Sequence, residues 1–206
     1  MWPGTETEIE LLLIRHGETK SNTEHRYLGK TDEGLSDNGK KLIKQENEKN
    51  RYPFCDLVFS SPMLRCKETA ELIYPQQKIE EIIEWSEIDF GRFEGKNYKE
   101  LENDPDYIRW IESNGTLPFP EGESQEEFKE RVIQGFQKMI NQILGTEKGK
   151  EKIKAAIVVH GGTIMTLCSY LAGGEYFGYQ IKNGEGYRCI LHYDINNIEV
   201  LKLERL

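Results

Sequence analysis

Long apolar runs are missing from this chain, and no stretch approaches the roughly twenty residues that a helix needs to cross a bilayer. Clustered positive charge is missing as well. Asp and Glu number 36 against 27 Lys and Arg, a formal net charge of −9, with no basic stripe or run of arginines. Affinity for a phosphate backbone needs clustered Lys and Arg, so nucleic acid is not an expected partner. Cysteine is scarce. Cys55, Cys66, Cys168 and Cys189 share no metal-type spacing and lie in or beside apolar segments. They read as buried free thiols, which favours a reducing compartment. Asp32, Asp37, Asp56 and Asp89 form no ligand grouping, and no metal is expected. The first residues carry neither a cationic region nor the apolar core of a signal peptide, so the expected location is cytoplasmic. There are no internal repeats and no low-complexity segments.

What remains is a chain of 206 residues, 37 % hydrophobic and 31 % charged, enough for one domain around a substantial core. Strand and helix signals alternate along it, which places it in the α/β class. Ile9–Ile14 reads as a buried strand. Ser36 caps a helix running towards Asn50, with Leu42 and Ile43 as a thin apolar face. Leu57–Ser60 is a second strand, followed by a helix with Pro62 in its first turn and Pro75 as its stop. Ser124 and Glu127 form a capping-box pattern. Phe128, Val132, Phe136, Met139, Ile140 and Ile143 follow at helical spacing and read as core. Ala155–Val159 is a strand and Thr163–Leu171 the helix after it. Gly173–Gly186 reads as a loop with some strand. Cys189–Tyr193 and Ile198–Leu203 read as a hairpin turning at residues 194–197.

The segment from about 85 to 123 differs from the rest. It is rich in aromatic, Gly, Pro and acidic residues, with short helical stretches at 98–103 and 105–113. It reads as a small helical insertion, or lid, over the sheet edge within a single domain spanning 1–206, since it lacks a sufficient core of its own.

Two histidines carry the chemistry. Arg15-His16-Gly17-Glu18-Thr19 follows the first strand, and His160 closes the strand Ala155–Val159. Each imidazole falls where a buried strand ends and a loop begins, the edge at which open α/β sheets bind ligands. Arg15 beside the first histidine, and glycines after both, suit an anion held by guanidinium and backbone N–H groups. Alone, His16 reads first as a satisfied histidine at a strand end. Its setting, with Asn22 and Arg26 downstream, points to phosphate chemistry.

Arg15-His16-Gly17-Glu18-Thr19-Lys20-Ser21-Asn22 resembles the signature of the histidine phosphatase superfamily, which includes the cofactor-dependent phosphoglycerate mutases. The resemblance continues in order through nearly the whole chain. Leu28-Gly29 with Asp32 and Leu35-Ser36 is similar to the loop into the first helix. Ser60-Ser61-Pro62-Met63-Leu64-Arg65 through Ala70 is similar to the segment with the second arginine. Glu84 through Gly95 resembles the acid-bearing segment, and Glu121-Gly122-Glu123-Ser124 and Val159-His160-Gly161-Gly162-Thr163 complete the set. The resemblance implies a three-layer α/β/α sandwich around a mostly parallel mixed sheet. It makes His16 the nucleophile that accepts the phosphoryl group, with Arg15 and Arg65 clamping its oxygens. His160 becomes a second donor to that group. Asn22 and the Gly161 N–H are lesser donors, Glu18 orients the site, and Thr19 and Gly29 complete the substrate-binding set. Glu87 resembles the proton donor. From the residues alone, the lesser alternative pairs Arg65 with an acid on its own helix such as Glu68, and Glu87 is one acid among Glu80, Glu81, Glu84 and Asp89. Gly161-Gly162 lacks the third glycine of a dinucleotide loop. No cofactor is expected.

Phosphatases and mutases of this superfamily share the phosphohistidine. In the mutases, the segment after the acid resembles Glu-Arg-His-Tyr-Gly, whose basic residues retain a bisphosphate. Here Ile88-Asp89-Phe90-Gly91 follows Glu87, and the acid Asp89 and apolar Phe90 disfavour a second phosphate. The expectation is therefore a metal-independent phosphomonoester hydrolase acting on a small phosphorylated metabolite, with a mutase as the alternative and a silent partner-binding module as a remote one. The short lid resembles those of alpha-ribazole, phosphoserine and broad-specificity sugar phosphatases. Phe90, Phe93, Tyr98, Trp110 and Phe119 either line a substrate pocket or form the lid's own core. Oligomeric state is left open.

Overall fold

The computed structural model describes residues 7–147, 150–194 and 197–206. Among them, six strands form one sheet in the order β3-β2-β4-β1-β5-β6. β1 is Thr7–Arg15, β2 Leu57–Ser60, β3 Ile79–Glu81, β4 Lys152–Val159, β5 Gly186–Asp194 and β6 Asn197–Arg205. β3, β2, β4 and β1 run parallel, while β5 and β6 pair antiparallel to their neighbours. β3 is too short to have announced itself in the sequence. The strands of the terminal hairpin are as expected, although Ile195 and Asn196 of its turn lie outside the described residues.

Parallel strands buried on both faces read as continuous apolar runs, and β1 and β4 do so. Along β1, Ile9, Leu11 and Leu13 enter one core and Leu12 and Ile14 the other, as the two-residue period of a strand requires. The second core is closed by helices α2 (Asp37–Glu48) and α3 (Leu64–Ile73), through Ile43, Cys66, Ala70 and Ile73. The first is closed by α6 (Gln125–Thr146) and α7 (Gly161–Ala172). Three layers result. α6 starts on the expected capping box, with Ser124 Oγ taking the Glu127 N–H at 3.1 Å and the Glu127 carboxylate taking the Ser124 N–H at 2.9 Å. All six residues of its predicted stripe are buried. The four cysteines are free and buried. No helix among the described residues is long and apolar enough to cross a membrane.

Some local expectations need correcting. Leu42 is exposed and Ile43 alone of the pair enters the core, because only one residue of two consecutive helical positions faces the sheet. Pro62 precedes α3, whose cap is Met63. Residues 173–185 form a 3-10 turn at Tyr176–Tyr179 and no strand, and Gly186 opens β5.

The 85–123 segment contains two short helices, α4 (Tyr98–Leu101) and α5 (Pro105–Glu112), beyond α1 at Lys20–Thr23. Its rings pack on one another and on Tyr27. Phe90 and Phe119 lie 5.0 Å apart, Trp110 and Phe119 4.9 Å, and Tyr27 and Phe90 5.1 Å. Phe93 and Phe119 are buried and continuous with the main core. These rings are core rather than pocket lining, whereas Tyr98 faces solvent. Gly91 makes the tight return possible: its φ is +51°, and a side chain there would meet the Pro120 carbonyl at 2.1 Å.

Candidate active site

The register of two parallel strands brings the histidines together. Arg15 pairs with Val159, so the next residue on each strand, His16 and His160, stands side by side beyond the carboxyl edge of the sheet. The His16 N–H completes the ladder on the Val159 carbonyl at 2.9 Å. The ring centroids are 5.3 Å apart at 66°, and both side chains are buried. His16 Nδ1 donates to the Gly17 carbonyl at 2.7 Å, which leaves the Nε2 lone pair available. Gly17 is fixed in turn, its N–H donating to Thr69 Oγ1 at 2.9 Å. Burial, with Arg65 and Arg15 close by, holds both imidazoles well below the ordinary histidine range, so both rings are neutral near pH 7.

Two arginines converge on the same edge. Arg65, on the first turn of α3, is fully buried and donates to the carbonyls of Thr31 and Gly29, each at 3.0 Å. Its pairing with Glu68 does not occur. Glu68 accepts from the Leu35 N–H at 2.7 Å and faces Lys40 at 3.2 Å. Arg15 donates to the Ile181 carbonyl at 2.6 Å. The Nε groups of Arg15 and Arg65 are buried without a protein acceptor. An unmet buried donor costs about 1–3 kcal/mol, and a bound anion is the kind of acceptor that relieves it. The first turn of α7 adds the positive end of a helix dipole behind His160, its cap residue.

Glu87 completes the cluster. Its Oε2 lies 3.8 Å from His160 Nδ1, and its Oε1 accepts from the Ile88 N–H at 3.1 Å. Burial raises its pKa, against the opposing pull of Arg65. The neighbouring acids are spent elsewhere: Glu80 faces Lys78, Glu81 faces Lys67, Glu84 faces Lys138 and Asp89 faces Lys30. Of these five, Glu87 alone reaches the histidines.

The remaining expected residues divide. Asn22 lines the cleft beside Arg15 and Gly17, its Oδ1 taking the Thr19 N–H at 3.2 Å and Asn183 Nδ2 at 3.0 Å. Thr19 is buried and caps α1, supporting Asn22 rather than facing the cleft. Glu18 lines the same cleft and is held from α2, its Oε1 taking Asn38 Nδ2 at 3.0 Å. Gly29 supplies the carbonyl that aims Arg65 and packs so closely that a side chain would meet the Ile88 carbonyl at 2.2 Å. Gly161 lies against the Arg15 guanidinium, 3.5 Å from where a side chain would begin.

Sequence reasoning missed several supports. Ser61 Oγ is 2.8 Å from His160 Nε2. Asn183 bridges Asn22 and the His16 carbonyl. Arg131 donates to the carbonyls of Glu84, Ser86 and Glu87 and pairs with Glu123. Ser61 lies inside the Ser60–Ala70 motif, while Asn183 and Arg131 carry no local signal. A cleft of about 1020 Å³ opens beside Arg15, Asn22 and Asn183, and another of about 630 Å³ beside Glu87, Lys30 and Arg131. Among the described residues, no group of three His, Cys, Asp or Glu side chains is placed to hold a metal ion.

The family model for the histidine phosphatase superfamily (branch 1) matches residues 11–204. The chain belongs to this superfamily. It is 32 % identical over 166 residues to the uncharacterized phosphatase PhoE of Bacillus subtilis (strain 168), covering 79 % of this chain and 77 % of that one. It is 36 % identical to phosphoserine phosphatase 1 of Hydrogenobacter thermophilus (strain DSM 6534 / IAM 12695 / TK-6) over 62 % of each chain. It is 28 % identical to a probable phosphoglycerate mutase, GpmB, of Salmonella arizonae (strain ATCC BAA-731 / CDC346-86 / RSK2980), over 80 % of this chain and 75 % of that one. Among solved structures, a putative alpha-ribazole-5'-P phosphatase from Escherichia coli str. K-12 substr. MG1655 superposes with a TM-score of 0.76 at 22 % identity, over 95 % of this chain and 96 % of that one, and shares the fold.

Proposed function

We propose that this chain is a phosphomonoester hydrolase that works without a metal, through phosphohistidine at His16, on a small phosphorylated metabolite. The observation that carries the reading is the Nδ1 donation of His16 to its own loop. It leaves a neutral, buried Nε2 beside two arginines and a second histidine. Nε2 attacks phosphorus, the N–P bond forms and the P–O ester bond breaks. The departing alcohol oxygen takes its proton from Glu87, whose raised pKa keeps it protonated nearer neutrality than an ordinary glutamic acid. The Glu87 carboxylate then takes a proton from water as water attacks phosphorus. The N–P bond breaks, and free phosphate leaves. Arg15 and Arg65 stabilise the charge on the transferring group, the task that Mg²⁺ performs in many other phosphotransferases.

A mutase is the second reading, and one contact favours it. Asp89, the acid expected to repel a second phosphate, is paired with Lys30, which offsets its charge. A panel of small phosphomonoesters, assayed with a metal chelator present, tests the hydrolase directly. Phosphate release from several of them supports it. A coupled mutase assay on the same preparation, with 3-phosphoglycerate and 2,3-bisphosphoglycerate, returns negligible turnover if water is the acceptor. Mutase turnover well above phosphate release overturns the hydrolase.

A further inference from the structure

We infer that Ser61 is a positioning residue that fixes the tautomer of His160, holding its single proton on Nδ1. The inference rests on the reading of His160 as a phosphoryl-binding group. Ser61 follows β2 directly, its N–H on the Val158 carbonyl at 3.0 Å, and both its side chain and the imidazole are fully buried. Its Oγ lies 2.8 Å from Nε2 of His160.

The direction of that bond follows from what else Ser61 does. Its oxygen accepts the Met63 N–H at 3.3 Å, which uses a lone pair and leaves the hydroxyl hydrogen free. Two acceptors lie within reach of that hydrogen: the imidazole Nε2 and the Cys66 thiol. Sulfur is the weaker acceptor, so the hydroxyl donates to Nε2. Cys66 Sγ lies 3.6 and 3.8 Å from the two ring nitrogens and so favours neither.

A neutral imidazole that accepts at Nε2 carries its proton at Nδ1. Nδ1 faces the Glu87 carboxyl at 3.8 Å, too far for a hydrogen bond. Its N–H therefore stays uncommitted on the Glu87 side of the ring, free to meet a phosphoryl oxygen bound there. The opposite tautomer would turn a lone pair towards that oxygen and repel it. Ser61 thereby makes His160 a donor without requiring it to become charged.

Nitrogen-15 labelling and long-range proton–nitrogen correlation spectra of the imidazoles, recorded near pH 7.5 without substrate, test the inference. In the unmodified protein, His160 is expected to be protonated at Nδ1 and bare at Nε2. Ser61→Ala should shift the ring towards the Nε2–H form and lower kcat about tenfold or more, whereas Ser61→Thr, which keeps the hydroxyl, should retain both properties. His160 protonated at Nε2 in the unmodified protein overturns the inference, as does an unchanged tautomer in Ser61→Ala. If Ser61→Ala does not fold, the spectra of the unmodified and Ser61→Thr proteins decide. The spectra need no turnover, so a protein inactive on every ester but protonated at Nδ1 would remove the hydrolase and keep the tautomer.

Discussion

Arg131 grips Glu123 with one edge of its guanidinium, Nε to Oε1 at 2.6 Å and Nη2 to Oε2 at 2.7 Å. The same guanidinium holds the carbonyls of Glu84, Ser86 and Glu87 at 2.6–3.1 Å. One side chain of α6 thus clasps the loop that carries the candidate acid to the segment that returns from the aromatic cluster. Arg131→Ala takes the arginine donor from three carbonyls and leaves the Glu123 carboxylate only the Asp89 N–H. Unfolding stability should fall by about 2 kcal/mol or more, read as a lower denaturation midpoint. Arg131→Lys should recover only part, since an ammonium cannot span the five acceptors.

Glu87→Gln should separate substrates by their leaving groups. Alkyl phosphates, whose alkoxide needs a proton, should lose about a hundredfold or more in kcat. The p-nitrophenyl ester, whose leaving group scarcely needs one, should lose far less. Equal losses on both esters would remove Glu87 from the acid role.

Arg65 is held by the carbonyls of Thr31 and Gly29, with its Nε left over. Arg65→Ala should depress turnover on every ester alike, by about 3 kcal/mol of transition-state stabilisation. Arg65→Lys should not restore it, because a point charge cannot meet two carbonyls and an anion together. A loss confined to one class of ester would assign Arg65 to the leaving group instead.

Much of this was legible in the sequence, and the limits are physical. β1, β4 and α6 declared themselves because apolar periodicity and capping are local, and the two histidines did so because each ends such a strand. β3 has three residues, too few for a pattern. The aromatic residues of 85–123 have one composition whether they line a pocket or fill a core, and only their ring contacts with Tyr27 decide. Ser61 and Arg131 act through partners 99 and 44–47 residues away, a relationship that no local window contains. The charge attributed to Asp89 needed Lys30, which approaches it from another loop.

The buried histidines also give the protein a pH signature. Their folded-state pKa values lie below those of the unfolded chain. The unfolded state therefore binds more protons below about pH 6.5, and their contribution to stability is lost as pH falls. Glu87 has the opposite sign, its pKa being raised. In phosphate-free buffer between pH 7 and 5.5, the unmodified protein should lose stability faster than His16→Ala, by up to about 1.4 kcal/mol per pH unit. Parallel stability profiles for the two proteins would show that His16 is not held neutral.

The central claim is that His16 carries the phosphoryl group. Reaction with a labelled phosphomonoester, quenched rapidly at alkaline pH to spare the acid-labile N–P bond and followed by peptide mapping, should place the label on the peptide containing His16. His16→Ala should trap none and lose nearly all turnover. Label on another residue, or ordinary turnover by His16→Ala, would contradict the account.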